Sequence, residues 1–175
     1  MTRIGILSDT HGFVEPRLFD FFASCDKLFH AGDIGNMETA DTLSAFKPLI
    51  AVHGNIDGYD VRAAYPEIQR VDCEDIDILM THIGGYPGRY DRNIYPILKN
   101  HPPKLFIAGH SHILKIMYDT TLQFLHINPG AIGHSGIQTV KTAIRLVVDG
   151  SNMKDLEILE IPRIRKMSRR NEGCL

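Results

Sequence analysis

Seven side chains within the first 112 residues have the chemistry of hard-metal ligands and also lie at the ends of predicted strands. Carboxylate, imidazole and amide groups together suit Mn, Fe, Zn or a similar divalent first-row ion, and no thiolate is among them. The set is too large for one tetrahedral zinc, but it suits two ions if one carboxylate bridges them and water completes the shells. The candidates are Asp9, His11, Asp33, Asn55, His82, His110 and His112.

The spacing of these candidates favours convergence on one cavity. Asp9 and His11 form an i, i+2 pair, and so do His110 and His112. Alternate side chains of an extended segment point the same way, so both members of a pair can reach one site. Glycines at positions 12, 32, 54 and 109 flank the set, and they allow loop backbones to approach a site closely.

Apolar runs precede the first four candidates and predict the elements that position them. Residues 3–7, 27–33 and 48–53 each read as a buried strand that feeds a polar loop. Residues 14–25, begun by a proline, and residues 37–46 predict amphipathic helices between them. The first 55 residues therefore predict a β-α-β-α-β unit, whose ligand crevice lies beyond the carboxyl ends of the strands.

The second half changes character and predicts a second, partly antiparallel sheet packed against the first. We expect one domain over residues 1–162 and a basic, polar tail over residues 163–175. His126 leads into Asn128-Pro129-Gly130, which predicts a turn with local side-chain-to-backbone bonding. The predicted strands of this half are 67–71, 76–81, 105–110, 113–119, 123–128, 142–149 and 154–161, with a helix around 91–100.

Composition bounds the partners and the compartment. The chain is 43% hydrophobic and 23% charged, with a formal net charge of -2, so no general attraction to nucleic acid or to an anionic membrane is expected. Three dispersed cysteines and the lack of a secretory signal predict a cytoplasmic protein. The apolar strands of the second half could offer an edge for a homo-oligomer.

The ordered motifs resemble those of the calcineurin-like metallophosphoesterase superfamily. The resemblance rests on Asp9-x-His11, Gly32-Asp33, Gly54-Asn55-x-Asp57, His82 and Gly109-His110-x-His112. The segment INPGA at 127–131 is similar to that of the small bacterial and archaeal phosphodiesterase branch. The resemblance implies an α/β, four-layer αββα sandwich of two mixed β-sheets flanked by helices.

The resemblance also implies a metal site and a reaction. A metal-activated hydroxide would attack a small phosphodiester substrate, with two divalent ions bound; Mn is favoured, and Ni, Fe, Zn or Mg are alternatives. Asp57 would orient a neighbouring ligand, although a plain loop cap is equally open. The implied ligands are Asp9, His11 and His112 for one ion, Asn55, His82 and His110 for the other, and Asp33 as the bridge between them.

Two departures from the family pattern bear on the reaction. Many larger members carry a histidine that protonates the leaving group, and here that position is Ile56, which cannot donate a proton. This favours modest rates, good leaving groups or an acid from elsewhere. After His82, a glycine-rich loop replaces the commoner Thr-His-Gly-His, and its Arg89 and Tyr90 could contact substrate or belong to a flexible surface loop.

Two other functions remain open at this point. A retromer subunit resembles the family but acts as a non-catalytic protein-interaction scaffold, and it has lost parts of the metal set. DNA-repair nucleases of the superfamily carry additional DNA-contacting domains and a basic surface. All seven candidate positions here hold competent ligands, which argues against the scaffold, and the chain has neither the length nor the basic charge expected of the nucleases. The low-specificity phosphodiesterase is therefore favoured.

Overall fold

A computed structural model describes residues 1–163 of the chain. None of the helices in this part is long and apolar enough to cross a membrane. The helices are α1 (Arg17–Phe21), α2 (Met37–Phe46), α3 (Tyr59–Ala64) and α4 (Tyr95–Asn100). The strands are β1 (Thr2–Leu7), β2 (Lys27–His30), β3 (Leu49–Ala51), β4 (Ile68–Cys73), β5 (Ile76–Thr81), β6 (Gly85–Tyr86), β7 (Arg89–Tyr90), β8 (Leu105–Ala108), β9 (Leu114–Asp119), β10 (Phe124–Pro129), β11 (Val140–Asp149) and β12 (Asn152–Pro162).

Two mixed five-stranded sheets form the centre of the fold. The first has the order β12-β11-β1-β2-β3, with β1, β2 and β3 parallel and β11 antiparallel to β1. The second has the order β4-β5-β8-β10-β9, with β5, β8 and β10 parallel. The carboxyl ends of the parallel strands are where the loops bearing the candidate ligands begin.

The core lies between the sheets and beneath the helices. Ile4 and Ile6 of β1 pack in one buried cluster with Ile78 and Ile107 of the second sheet. The alternate residue Leu7 faces the other way and packs with Leu18, Phe22 and Leu43 in a second cluster, so α1 and α2 cover the outer face of the first sheet. Because β1 is covered on both faces, its buried part, residues 4–7, carries no polar side chain.

A third cluster covers the outer face of the second sheet. Phe106 of β8 and Phe124 of β10 pack there with Ile94 and Leu98, which belong to α4 and the residue before it. Helices therefore flank both sheets, and the predicted four-layer αββα sandwich is confirmed.

The prediction that every strand of the second half joins the second sheet is wrong for the last two. β11 pairs with β1 from Thr2 opposite Val148 to Ile6 opposite Ile144, and β12 pairs with β11. The physical reason is that β2 occupies only one side of β1, so the other side must be paired with another strand. Local apolar patterns identify such strands but do not specify their partners.

Smaller differences concern boundaries and omissions. Helix α1 occupies only Arg17–Phe21 of the predicted 14–25 segment, whereas α2 covers the predicted 37–46 range. Helix α3 and the β6–β7 hairpin were not predicted. The predicted tail lies outside the described residues except for Arg163, whose guanidinium donates to the Gly133 and Ser135 carbonyls.

His126 lies within β10 and is fully buried, while the predicted local bonding belongs to Asn128, whose side chain accepts from Gly130 N–H at 2.9 Å. Burial, the largest cause, and the nearby charge of Lys115 together lower the pKa of His126 from 6.5 to about 4, against the opposing charge of Asp119. The imidazole is therefore neutral at pH 7.

Lowering the pH should destabilise the fold through this residue. Below pH 6.5 the unfolded chain takes up a proton at His126 that the folded chain refuses until about pH 4, so about 2 kcal/mol of the pH 7 stability is lost by pH 5. In His126→Leu, the free energy of unfolding measured in urea should differ between pH 7 and pH 5 by correspondingly less. His101→Gln, at an exposed position, should keep the wild-type difference between the two pH values. If His126→Leu also kept it, His126 would not be the source of the pH dependence.

Candidate metal centre

The seven candidate ligands lie at the carboxyl ends of strands, as predicted. Asp9 and His11 follow β1, Asp33 follows β2, and Asn55 follows β3. From the second sheet, His82 follows β5 directly. His110 and His112 follow β8. Because these strands are parallel within their sheets, their loops meet at one edge of the sandwich.

The backbone at five of these positions is left-handed. Their φ angles are positive, which a residue other than glycine adopts only at a cost of about 1–3 kcal/mol each. Such strain persists where the surroundings hold it, and it concentrates at functional sites. The five are Asp9 (56°), His11 (50°), Asp33 (54°), His110 (66°) and His112 (57°).

Backbone hydrogen bonds between the loops hold this conformation. Asp9 N–H donates to the Gly32 carbonyl at 3.0 Å, and His11 N–H donates to the Asp33 carbonyl at 3.0 Å. Gly109 N–H donates to the His82 carbonyl at 3.0 Å, which ties the two loops of the second sheet together. The ligand positions are thus fixed to each other across the loops.

The first cluster consists of Asp9, His11 and His112. The Nε2 atoms of the two histidines are 3.2 Å apart, and His112 Nε2 lies 3.0 Å from Asp9 Oδ1. The Asp9 side chain is fully buried, and its Oδ1 has no hydrogen-bond partner among residues 1–163. A buried carboxylate oxygen left without a donor, beside two imidazole nitrogens, is an arrangement that a bound cation would satisfy.

The second cluster consists of Asp33, His82 and His110, with Asn55 beside them. His82 donates its Nδ1–H to the Ala31 carbonyl at 2.7 Å, which directs Nε2 to Asp33 Oδ2 at 3.3 Å and to Asn55 Oδ1 at 3.1 Å. Binding one ring nitrogen to a carbonyl is how proteins orient a metal-binding histidine. These residues also fit a metal ion.

The two clusters adjoin each other. The backbone N–H of His110, in the second cluster, donates to Asp9 Oδ2 of the first at 3.3 Å. Burial opposes the ionisation of Asp33, but the hydrogen bond and charge of His82 outweigh it and hold the Asp33 pKa below its ordinary value. Burial acts to lower the pKa of His82, but the Asp33 hydrogen bond and the charges of Asp9 and Asp33 outweigh it, so the pKa is raised above its ordinary value.

A glycine sets the approach of the third loop. A Cβ built on Gly54 would fall 2.0 Å from Asp33 Oδ1 and 2.3 Å from Asp33 N. Asp33 N belongs to the backbone, and Asp33 Oδ1 is held by the N–H of Ile56, from which it accepts at 3.0 Å. Only glycine therefore allows the Asn55 loop to lie against Asp33.

The Asp57 carboxylate accepts hydrogen bonds from the backbone of the ligand loops. Within the described residues, it forms none with the side chain of a candidate ligand. Its Oδ2 accepts from the N–H of Ile34 at 3.1 Å and of Gly54 at 2.7 Å, and its Oδ1 accepts from Gly35 N–H at 2.6 Å. Asp57 thereby joins the Asp33 loop to the Asn55 loop. Its predicted role, orienting a ligand, would be exerted through the main chain.

Arg62 is a residue that the sequence analysis missed. Its guanidinium donates to the Asp57 carbonyl at 2.6 Å, to the Gly54 carbonyl at 2.9 Å and to the Asn55 carbonyl at 3.1 Å. It lies on α3, which begins right after the ligand loop. The available signal was an arginine one helical turn into the element that follows Gly54-Asn55.

The four-layer sandwich with two adjoining clusters defines an α/β protein with a candidate metal centre. The chain belongs to the calcineurin-like phosphoesterase superfamily, since the model of that domain matches residues 2–151. The family predicted from the motifs is confirmed. It is a family of hydrolases that act on phosphoester bonds with divalent metal ions, and the structure holds two candidate clusters for such ions.

Two archaeal relatives support this placement. A probable metallophosphoesterase of Methanocaldococcus jannaschii is 32% identical over 134 residues, covering 73% of this chain and 67% of that protein. A probable metallophosphoesterase of Methanothermobacter thermautotrophicus is 25% identical over 164 residues, covering 89% of this chain and 91% of that protein.

Solved structures share the fold at lower identity. Vps29 of Chaetomium thermophilum has a TM-score of 0.71 at 14% identity, covering 94% of this chain and 100% of that one. A structure described as a novel archaeal phosphodiesterase has a TM-score of 0.65 at 20% identity, covering 90% of this chain and 99% of that one. At these identities the likeness shows the fold alone.

Replacing Asp57 with asparagine should weaken metal binding without removing a ligand. The amide presents an NH2 group to backbone N–H groups that now face carboxylate oxygens, which loosens both ligand loops. Outer partners of this kind typically contribute 10- to 100-fold in metal affinity, so we expect about a tenfold weaker binding of Mn²⁺ by isothermal titration calorimetry. Asp60→Asn, on an exposed position of α3, is the matched control, and equal affinities in the two variants would refute the role.

Proposed function

We propose that this protein is a metal-dependent phosphodiesterase that hydrolyses small, good-leaving-group phosphodiesters at a dinuclear site. The observation that carries the proposal is the contact between two ligand clusters, made through His110 N–H and Asp9 Oδ2 at 3.3 Å. Two divalent ions held by these clusters would supply Lewis acidity towards the phosphoryl oxygens and would lower the pKa of a bound water.

Each residue then has a role that its surroundings support. We assign Asp9, His11 and His112 to one ion, and Asn55, His82 and His110 to the other. Asp33 would be shared by the two ions in this proposal, and its Oδ1 also accepts from Ile56 N–H, which holds the carboxylate in place. Two carboxylates with neutral imidazoles and an amide do not cancel the charge of two divalent ions, so the loaded site attracts a phosphate.

The rim of the site supports a diester over a monoester. Three exposed isoleucines each directly follow a candidate ligand: Ile56 is 50%, Ile83 43% and Ile113 49% exposed. Apolar surface at the mouth suits organic groups on either side of the phosphorus. A monoester has one such group and a second negative charge at the phosphorus, so it would use this rim less well.

We also propose that the bound metal is Mn²⁺ and that the protein is cytoplasmic. Oxygen and nitrogen ligands without thiolates suit Mn²⁺, with Ni, Fe, Zn or Mg as alternatives. A reducing compartment such as the cytoplasm fits the free, buried thiols of Cys25 and Cys73.

Asp33→Ala should abolish both metal binding and hydrolysis, because it removes the proposed bridge from the second cluster. The measurement is release of nitrophenolate from bis(p-nitrophenyl) phosphate with Mn²⁺ or Ni²⁺, alongside metal stoichiometry by elemental analysis. Asp41→Ala, at an exposed position of α2, should retain both. If folded wild-type protein turns over no phosphoester with any divalent ion, a scaffold function becomes the better account.

Ile56→His should extend the range of leaving groups. A histidine at this exposed position could protonate an alkoxide, and a positioned general acid contributes about 100- to 10,000-fold where the leaving group needs a proton. We therefore expect the substitution to raise kcat for a dialkyl phosphodiester at least about tenfold more than it raises kcat for bis(p-nitrophenyl) phosphate. Ile56→Leu is the control, and an equal change for both substrates would argue against missing acid catalysis at position 56.

A further inference from the structure

A cavity of about 450 Å³ adjoins the candidate metal centre. Its wall includes His110, a member of the second ligand cluster, so the cavity and the centre are continuous. The β6–β7 hairpin and the segment after it line one side, β9 contributes Lys115, and β10 contributes His126 and Asn128. The volume is larger than a phosphate group needs and is in the range of small-ligand sites.

The hairpin wall is anchored to the second sheet. Gly85 pairs with Tyr90 and Tyr86 with Arg89, and the Asp91 N–H donates to the Gly84 carbonyl at 3.1 Å. The Tyr90 hydroxyl donates to Asp119 Oδ2 at 2.6 Å. The sequence left open whether Arg89 and Tyr90 belong to a flexible surface loop. In the structure both lie in a paired, hydrogen-bonded hairpin.

The charges that line the cavity are mostly positive. Arg89, Arg92 and Lys115 line it, together with one carboxylate, Asp91. Within residues 1–163 none of these three cations has an ion-pair partner, whereas Arg70 is bound by the Asp77 carboxylate. Unpaired cations that converge on a hollow bind anionic groups, and a phosphate offers three acceptor oxygens and nearly two charges.

The rest of the wall is suited to an organic ring. The Tyr86 ring lies in it, with the Lys115 ammonium 3.7 Å from the ring centroid. His126 is fully buried in the wall, and in the described part of the chain neither of its ring nitrogens has a hydrogen-bond partner. A neutral imidazole with a free donor and a free acceptor is a polar group without a ligand.

A smaller hollow on the other side of the centre has a different character. Its volume is about 210 Å³, and Asn55 and His82 of the metal centre line it. Glu67 and Asp91 are also in its wall, and the arginine there, Arg62, already donates to three carbonyls. The two hollows could accept the two arms of a diester, and only the larger one favours an anionic arm.

We infer that the cavity lined by Arg89, Arg92 and Lys115 binds one ester arm of the substrate, and that this arm carries a second phosphate beside a ring. The inference rests on the proposed phosphodiesterase function and names its substrate class. The cationic rim holds the second phosphate, and the exposed Tyr86 ring in the same wall accepts the ring of the substrate. The scissile phosphate then lies next to His110, at the metal centre.

A matched pair of substrates tests this inference. Thymidine 5′-(p-nitrophenyl phosphate) and its 3′-phosphorylated form share the scissile ester and differ by one phosphate. We expect the 3′-phosphate to lower KM about tenfold in the Mn²⁺-loaded protein, the effect of one charge-assisted contact set. In Arg89→Gln and in Lys115→Gln the ratio of the two KM values should fall towards one, while Lys104→Gln, an exposed lysine outside the cavity, should keep the wild-type ratio.

Binding measurements separate this inference from the proposed function. Thymidine 3′,5′-bisphosphate should bind the full-length protein more tightly than thymidine 5′-monophosphate by calorimetry, and Lys115→Gln should remove the difference. Turnover of bis(p-nitrophenyl) phosphate with no advantage from the 3′-phosphate in KM or in binding would overturn the inference and leave the function standing. Tighter bisphosphate binding without turnover of any ester would overturn the function and leave the anion site.

Discussion

Five candidate ligands are held in a backbone conformation that costs free energy, and much of the surrounding structure serves to hold them there. Asp9, His11, Asp33, His110 and His112 all have positive φ angles. Each of these residues lies in a loop that follows a strand, and their side chains meet in the two ligand clusters. The conformation persists because the loops hydrogen-bond to one another, with Asp9 N–H on the Gly32 carbonyl and His11 N–H on the Asp33 carbonyl.

This constraint explains why the fold needs two packed sheets. The Asp9 and Asp33 loops come from neighbouring parallel strands of the first sheet, while the His82 and His110 loops come from the second. The two pairs of loops meet because Ile4 and Ile6 pack against Ile78 and Ile107 between the sheets. The His82 imidazole, bound to the Ala31 carbonyl, crosses that junction. Packing in the core and geometry at the centre are thus linked by one side chain.

Much of the centre could be predicted from the sequence, because each candidate ligand follows an apolar run and the carboxyl ends of parallel strands meet. Pairing between distant strands could not: nothing local in residues 142–149 indicates that β11 lies beside β1. The same limit applies to Arg62, whose three bonds to carbonyls depend on where α3 folds. The cavity beside His110 was also beyond prediction, since its cations come from β7, the segment after it and β9.

The close contact of Gly54 with Asp33 has a consequence for anyone who wants to move this centre to another protein. With 2.0 Å between a Cβ at position 54 and Asp33 Oδ1, the volume that glycine leaves empty is part of the centre. The same holds at Gly109, where a Cβ would fall 2.2 Å from Ser8 Oγ. A graft that copied only the seven ligand side chains onto a new scaffold would fill these spaces with methyl groups and push the loops apart. A successful transfer would therefore have to include the glycines at positions 54 and 109 together with the seven ligands.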